Sequence, residues 1–254
     1  DGRGFFYSDD GYVGLGHVRL AIIGLGEGAA QPYLSSDKQA ALIYNGEIYN
    51  FKRLAEVLKQ EGVDLVDHSD TVVLFQFLQQ HGVSNLNQLN GMFAFAFYNQ
   101  VSGELYIVRD GYGVKPLYYA ESEQGVLFAS EVKALLAMGG ESGALDSQTI
   151  ARYNTYLWNP ASELPTQNIK KLAPGFCLKI KQGYVIENYR WFDLSRQVSL
   201  TNKGRNTKSY ITDTAHHIRK AVHRQMVSDV EVGAFLSGGL DSTSVVTFAK
   251  ELNP

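Results

Sequence analysis

Two short stretches carry the residues whose types and spacing could do chemistry. The first is Tyr44-Asn45-Gly46-Glu47-Ile48-Tyr49-Asn50-Phe51. An apolar run from Ala40 to Tyr44 leads into it and reads as a buried strand; a helical pattern from Asn50 to Gln60 follows. Asn-Gly at a strand end signals a turn, because Gly46 takes positive φ without a Cβ clash. A tight turn leaves backbone N–H groups pointing outward. The Gly46 N–H and the Asn45 side-chain amide then form two donors aimed at one point, the geometry of an oxyanion hole for acyl transfer. Glu47, next in line, can receive a substrate ammonium. On these residues alone a plain β-hairpin turn stands as the simpler reading.

The second stretch is Ser237-Gly238-Gly239-Leu240-Asp241-Ser242. It sits between a predicted strand, Glu231 to Leu236, and a predicted helix, Ser242 to Glu251. Backbone N–H groups at such a junction make an anion site, and glycines let a phosphate approach the main chain. No Lys closes the loop, so it is not the Gly-x4-Gly-Lys-[Ser/Thr] phosphate loop. The competing reading is a tight β-α turn with Asp241 as a helix cap.

Asn45-Gly46-Glu47-Ile48-Tyr49-Asn50 resembles the glutamine-pocket motif of class II, N-terminal-nucleophile glutamine amidotransferases, and most closely that of glutamine-hydrolysing asparagine synthetases. Further blocks follow the family's order along nearly the whole chain: Gly16 to Ile23 with its Arg19-Leu20 pair, Gly91 to Ala96, Arg109 to Tyr119, Ser130 to Leu135, and Ser237 to Ser242. The resemblance implies an α+β chain, an αββα sandwich followed by the first helix, strand, loop and helix of an α/β adenine-nucleotide hydrolase-like domain. It implies that Arg19 binds the glutamine carboxylate, that Glu47 and Asp70 bind its ammonium, that backbone groups of Leu20 and Ile22 complete the pocket, and that Asn45 and Gly46 stabilise the oxyanion. It also implies that Ser237, Gly238, Gly239 and Ser242 hold the pyrophosphate of ATP, that Leu236 lines the adenine pocket, and that Asp241 is a Mg2+ ligand. The expected reaction is glutamine hydrolysis coupled to ATP-dependent amidation of aspartate. Asp1 aligns with the last residue of the family's Arg-Gly-Pro-Asp motif, which places the nucleophilic cysteine in a segment before it. The chain by itself is therefore expected to perform neither half-reaction. The family usually has Asp-x-Glu after the second helix cap; here the residues are Asp70-Thr71-Val72, which puts in doubt a secondary contact of that Glu. A β-lactam-synthetase-like ligase, an amidotransferase with another acceptor, and a non-catalytic glutamine-binding module stand as alternatives.

Composition narrows the field. A net charge of −3 gives no reason to expect nucleic acid or an anionic membrane as partner. No apolar run approaches the ~20 residues of a membrane span. One cysteine excludes an internal disulfide and fits a reducing cytoplasm. That residue, Cys177, lies inside a predicted strand without a free α-amine to act as its base, so it reads as packing. His216, His217 and His223 share a helical segment without the partners of a metal site. Dimers are common in the resembled family, so the resemblance allows a homodimer, while the residues themselves do not set the oligomeric state.

The elements that must position these residues follow from periodicity. Tyr12 to Ile23 reads as strand, turn and strand. One helix carries Leu54, Val57 and Leu58 on a face and stops at Gly62; a second opens at Ser69-Asp70, turns Leu74, Phe75, Phe77 and Leu78 inward and stops at Gly82. Met92 to Tyr98 reads as a central buried strand, Glu104 to Val108 as its hairpin partner, and Phe176 to Ile180 with Tyr184 to Tyr189 as a hairpin around Gly183. Ser195 to Thr207 is polar and aperiodic. The expected organisation is an amidotransferase domain over 1–194, a linker over 195–206 and the start of a synthetase domain over 207–254.

Overall fold

The computed structural model describes residues 2–24, 26–158, 164–197 and 206–252. The chain opens with a hairpin, β1 (Gly2–Tyr7) and β2 (Gly14–Arg19), which forms its own sheet. Next come β3 (Tyr33–Leu34), β4 (Ala40–Ile48), α1 (Phe51–Gln60) and α2 (Asp70–His81). β5 (Gly91–Asn99) and β6 (Glu104–Arg109) form a hairpin, as do β7 (Tyr118–Ser122) and β8 (Gly125–Ala129). After α3 (Val132–Ala137) and α4 (Ser147–Tyr156) come β9 (Ile169–Lys171), β10 (Phe176–Lys181), β11 (Tyr184–Arg190) and one helical turn, α5 (Leu194–Gln197). Two helices end the chain, α6 (Thr207–Gln225) and α7 (Leu240–Ala249).

The central sheet has the order β11-β10-β6-β5-β4-β3, every neighbour antiparallel. The two-residue alternation of β5 sets the layers. Phe93, Phe95 and Phe97 face α1 and α2, where they meet Leu54, Leu58, Leu74, Phe75 and Leu78. Ala94, Ala96 and Tyr98 face the other way, toward Phe6 and Leu15 of the first hairpin and Leu117 and Tyr119 around β7. The small β8-β7-β9 sheet covers this second face, and α3 packs on its outside through Leu135. Helix, sheet, sheet and helix are thus stacked in the order anticipated.

Two buried charges fasten the edge of this stack. The Asp110 carboxylate, with no exposed surface, accepts N–H groups from Phe93 (3.2 Å), Tyr112 (3.0 Å), Val114 (3.0 Å) and Lys115 (3.0 Å). Its neighbour Arg109 donates to the carbonyls of Lys115 (2.8 Å), Leu172 (2.6 Å) and Gly113 (2.6 Å). The 110–115 loop is therefore wound around one carboxylate and clamped by one guanidinium.

Several sequence expectations need correction. Asn45-Gly46 is no turn: β4 continues through it to Ile48, paired Gly46 to Phe93 and Ile48 to Gly91. The glycine is needed for a close approach of backbones. A Cβ on Gly46, at φ 148°, would lie 2.1 Å from the Met92 carbonyl oxygen, and one on Gly91 would lie 2.1 Å from that of Glu47. β2 ends at Arg19, so residues 20–23 are not a strand; the chain curls there to turn carbonyls onto the Arg19 side chain. Residues 231–236 form no strand, because a parallel strand exists only beside a partner and none adjoins it among the described residues. Of the linker expected over 195–206, residues 198–205 lie outside the described residues and 195–197 belong to the helical turn α5. Asn50 occupies the N-cap of α1 without capping it; its side chain instead bridges the Gln88 carbonyl and the Asn90 N–H at 2.9 Å each.

Two substitutions test this framework. Gly46→Ala should cost about 3 kcal/mol or more through backbone overlap, and Asp110→Ala about 3–5 kcal/mol through the four N–H groups it strands. Both losses should appear as lower urea midpoints at unchanged slope.

Candidate active site

A cavity of about 750 Å3 opens where β2, β4, the start of α2 and the 110–115 loop converge. It is lined by Arg19, Leu20, Ile22, Asn45, Gly46, Glu47 and Asp70, the residues that the family resemblance assigns to a glutamine pocket. His17, Thr71 and Lys115 also line it. The cavity extends past Leu117 along β8 to α3, where Val126, Phe128 and Met138 give it an apolar far end.

Asp70 reaches the cavity because Ser69 caps α2 by accepting the Val72 N–H, leaving Asp70 as the first helical residue. It is nearly fully buried. Its Oδ2 accepts the Tyr44 hydroxyl at 2.7 Å and the Ile48 N–H at 3.2 Å. Burial still dominates and holds the carboxyl above the usual aspartate range, although these hydrogen bonds and nearby Arg19 pull the other way. Glu47 is half-buried on the same strand and is also raised, first by burial and then by the charge of Asp70, with Lys115 opposing. Two carboxylates sharing one cavity with little solvent are poised for a cation.

Arg19 ends β2, and its guanidinium donates to the carbonyls of Ile23 at 3.0 Å and of Gly24, with a longer contact of 3.5 Å to Gly26. A guanidinium has five donors, so these carbonyls orient its plane and leave donors for an anion. Cation-seeking carboxylates and an anion-seeking guanidinium within one cavity suit a zwitterion.

The backbone of β4 supplies the remaining donor. Phe93 turns its N–H and carbonyl toward Asp110, so the Gly46–Phe93 pair is one without β4–β5 hydrogen bonds. Gly46 therefore presents its N–H on the opposite edge of β4. On that edge the Tyr44 N–H is taken by the Gln31 side chain at 2.6 Å and the Ile48 N–H by Asp70. β3 pairs with Ala41 and Leu42, and among the described residues no strand covers Gly46 there. The motif thus delivers an outward N–H from an open strand edge, not from a turn.

Some predicted residues are engaged otherwise than expected. The Ile22 carbonyl accepts the Asp229 N–H at 3.0 Å, so it is engaged within the chain. Leu20 exposes most of its side chain. Val72, where the resembled family has Glu, is fully buried in the core. Cys177 is buried among the aromatic residues under α2, and burial pushes its thiol up to about 12. Ser237 to Gly239 form an exposed loop ahead of α7, and Leu240 to Ser242 open the helix: the Ser237 and Ser242 hydroxyls lie 2.9 Å apart, Gly238 has φ 78°, and Asp241 sits in the first helical turn. Sequence reasoning missed Lys115 as a cavity residue; its place at the end of the Arg109-Asp110-Gly111 loop was the available signal. His17 lies two residues before Arg19 on β2. Its Nδ1 is buried without a hydrogen-bond partner among the described residues, and burial holds it below the usual histidine value.

The layered sandwich is the architecture of a glutamine amidotransferase domain. Residues 1–192 match the family model described as "Glutamine amidotransferase domain", and the chain belongs to that family. Residues 213–254 match the model described as "Asparagine synthase". Asparagine synthetase [glutamine-hydrolyzing] 1 of Bacillus subtilis is 34% identical over 254 residues, covering 100% of this chain and 39% of the relative. Amidase chry2 of Gibberella zeae is 30% identical over 252 residues, covering 99% of this chain and 37% of the relative. The chain thus spans well under half the length of these relatives. The solved glutamine phosphoribosylpyrophosphate amidotransferase of B. subtilis shares the fold at a TM-score of 0.51 and 18% identity, covering 94% of this chain and 50% of that one.

The raised carboxyl of Asp70 has a stability consequence. A group whose folded pKa lies above its unfolded value opposes folding once ionised. Asp70→Asn should therefore raise the thermal midpoint at pH 7. That advantage should shrink as the pH falls through the raised pKa, where the wild-type carboxyl becomes neutral. Thermal melts of both proteins from pH 7 to pH 4 check it.

Proposed function

We propose that this chain is part of a glutamine-dependent synthetase that transfers the amide nitrogen of glutamine to the side-chain carboxylate of aspartate, converting ATP to AMP and pyrophosphate. The observation that carries this reading is the convergence of Arg19, Glu47, Asp70 and the Gly46 strand edge on one cavity. Arg19 takes the α-carboxylate of glutamine, and Asp70 with Glu47 takes its α-ammonium. The side-chain amide then lies toward Asn45 and Gly46, whose N–H donors stabilise the oxyanion as a thiolate attacks the amide carbon. Expulsion of ammonia leaves a thioester, and water releases glutamate from it. Cys177 is too deeply buried and too firmly protonated for this role; we place the nucleophile in a segment upstream of Asp1.

The second half-reaction is assigned to the Ser237–Ser242 loop. Its hydroxyls and the N–H groups at the start of α7 suit pyrophosphate oxygens, and Leu236 suits the adenine. Among the described residues no three His, Cys, Asp or Glu side chains converge. The single carboxylate of Asp241 fits Mg2+, which typically binds through one or two carboxylates plus substrate phosphates; the ion would offset phosphate charge. Aspartate activated as its β-acyl adenylate is attacked by ammonia, and AMP leaves. No helix among the described residues is long and apolar enough to cross a membrane, and the free buried cysteine fits a reducing compartment; we place the reaction in the cytoplasm.

The likeness to an amidase in G. zeae favours one variant of this reading, in which another carboxylic acid replaces aspartate. Pyrophosphate release by the intact enzyme, compared across carboxylic acids, separates the two.

Titration calorimetry tests the first site. The 254-residue chain should bind glutamine and release no ammonia; Arg19→Ala should weaken binding by about tenfold or more, the scale of a lost charge-assisted contact. Affinity should fall as the pH drops from 7 toward 5, because Asp70 and Glu47, with raised pKa values, lose the charge that holds the ammonium. Glutamine binding unaffected by Arg19→Ala would falsify the pocket assignment, and ammonia release would overturn the upstream nucleophile.

A further inference from the structure

The loop after β2 is held by a residue from the far end of the chain. Asp229, in the segment that runs from α6 toward the Ser237–Ser242 loop, makes two reciprocal hydrogen bonds to it. The Asp229 N–H donates to the Ile22 carbonyl at 3.0 Å, and its Oδ2 accepts the Gly24 N–H at 2.8 Å. Val227, close by, packs against the large core cluster.

Gly24 is where the other contacts meet. Its carbonyl accepts the Arg19 guanidinium. Its backbone, at φ 68°, lies so close to Ser69 that a Cβ would fall 2.6 Å from the serine Cβ. Ser69 is the N-cap of α2 and precedes Asp70. One glycine therefore touches the guanidinium assigned to the ligand carboxylate, the cap of the helix that presents the carboxylate assigned to the ligand ammonium, and Asp229. Hydrogen bonding at the Ile22 carbonyl and the Gly24 N–H fixes the two peptide planes that lead into Gly24, and the second of them carries the Ile23 carbonyl that accepts Arg19.

We propose that Asp229 is a positioning residue through which the second half of the chain sets the Arg19 clamp of the glutamine site. It touches no ligand and acts through Gly24. The proposal rests on the glutamine reading of the cavity only for the identity of the ligand; the latch itself is a matter of loop geometry.

Amide exchange and glutamine titration on the full 254-residue chain test it. Asp229→Ala should speed exchange of the Gly24 amide about tenfold or more, as a backbone donor loses a charged acceptor, with the amides of β5 unchanged. It should weaken glutamine binding about tenfold. Asp229→Asn, whose amide oxygen can still accept the Gly24 N–H, should restore most of both. Exchange at Gly24 equal to wild type, or acceleration spread equally over β5, overturns the proposal. So does unchanged glutamine affinity in Asp229→Ala. If the unsubstituted chain fails to bind glutamine at all, the ligand assignment falls, and the exchange data alone decide the latch.

Discussion

The buried Asp110 carboxylate is the constraint on which this architecture turns. Four N–H groups converge on it, three from its own loop and one from Phe93 in the middle sheet. A buried carboxylate is tolerated only when its lone pairs are filled, so the loop must wrap in one way and stay there. That wrapping turns the Phe93 N–H and carbonyl away from β4, so the Gly46 N–H points from the opposite edge of that strand. It also places Lys115 at the cavity wall, near Glu47. The chemistry of the pocket and the packing of the sheet share one electrostatic anchor.

A second constraint acts across the same strands. Gly46 and Gly91 let β4 and β5 approach where any side chain would strike a carbonyl. The sheet can then carry its phenylalanines beneath α1 and α2 right up to the site, while among the described residues no strand pairs with the opposite edge of β4 at Gly46. Stability has been conceded nearby: the two carboxylates of the cavity sit where burial disfavours their charge. Such concessions are expected where a protein must receive a charged ligand.

Much of this was legible in the residues. α2 announced itself through Ser69, its inward Leu74, Phe75, Phe77 and Leu78, and Gly82, because cap, period and stop are local signals. The hairpin around Gly183 was legible for the same reason. Asn45-Gly46 was misread because the dipeptide signals a turn only when nothing approaches from across the sheet, and that approach is a tertiary fact. The strand expected at 231–236 failed because pairing is not a property of one segment. The cavity's membership followed from ordered motifs, whereas Lys115 and Asp229 enter through the fold: each is distant in sequence from the residues it serves.

Cys177 has a use beyond its packing. It is the only thiol in the 254 residues, fully covered in the central sheet. A maleimide or disulfide reagent can reach it only after β10 has parted from its neighbours. Within this chain the sulfur is a built-in clock for opening of the sheet, read by mass spectrometry without any engineered label. Any thiol that reacts faster than that opening must belong to another part of the protein.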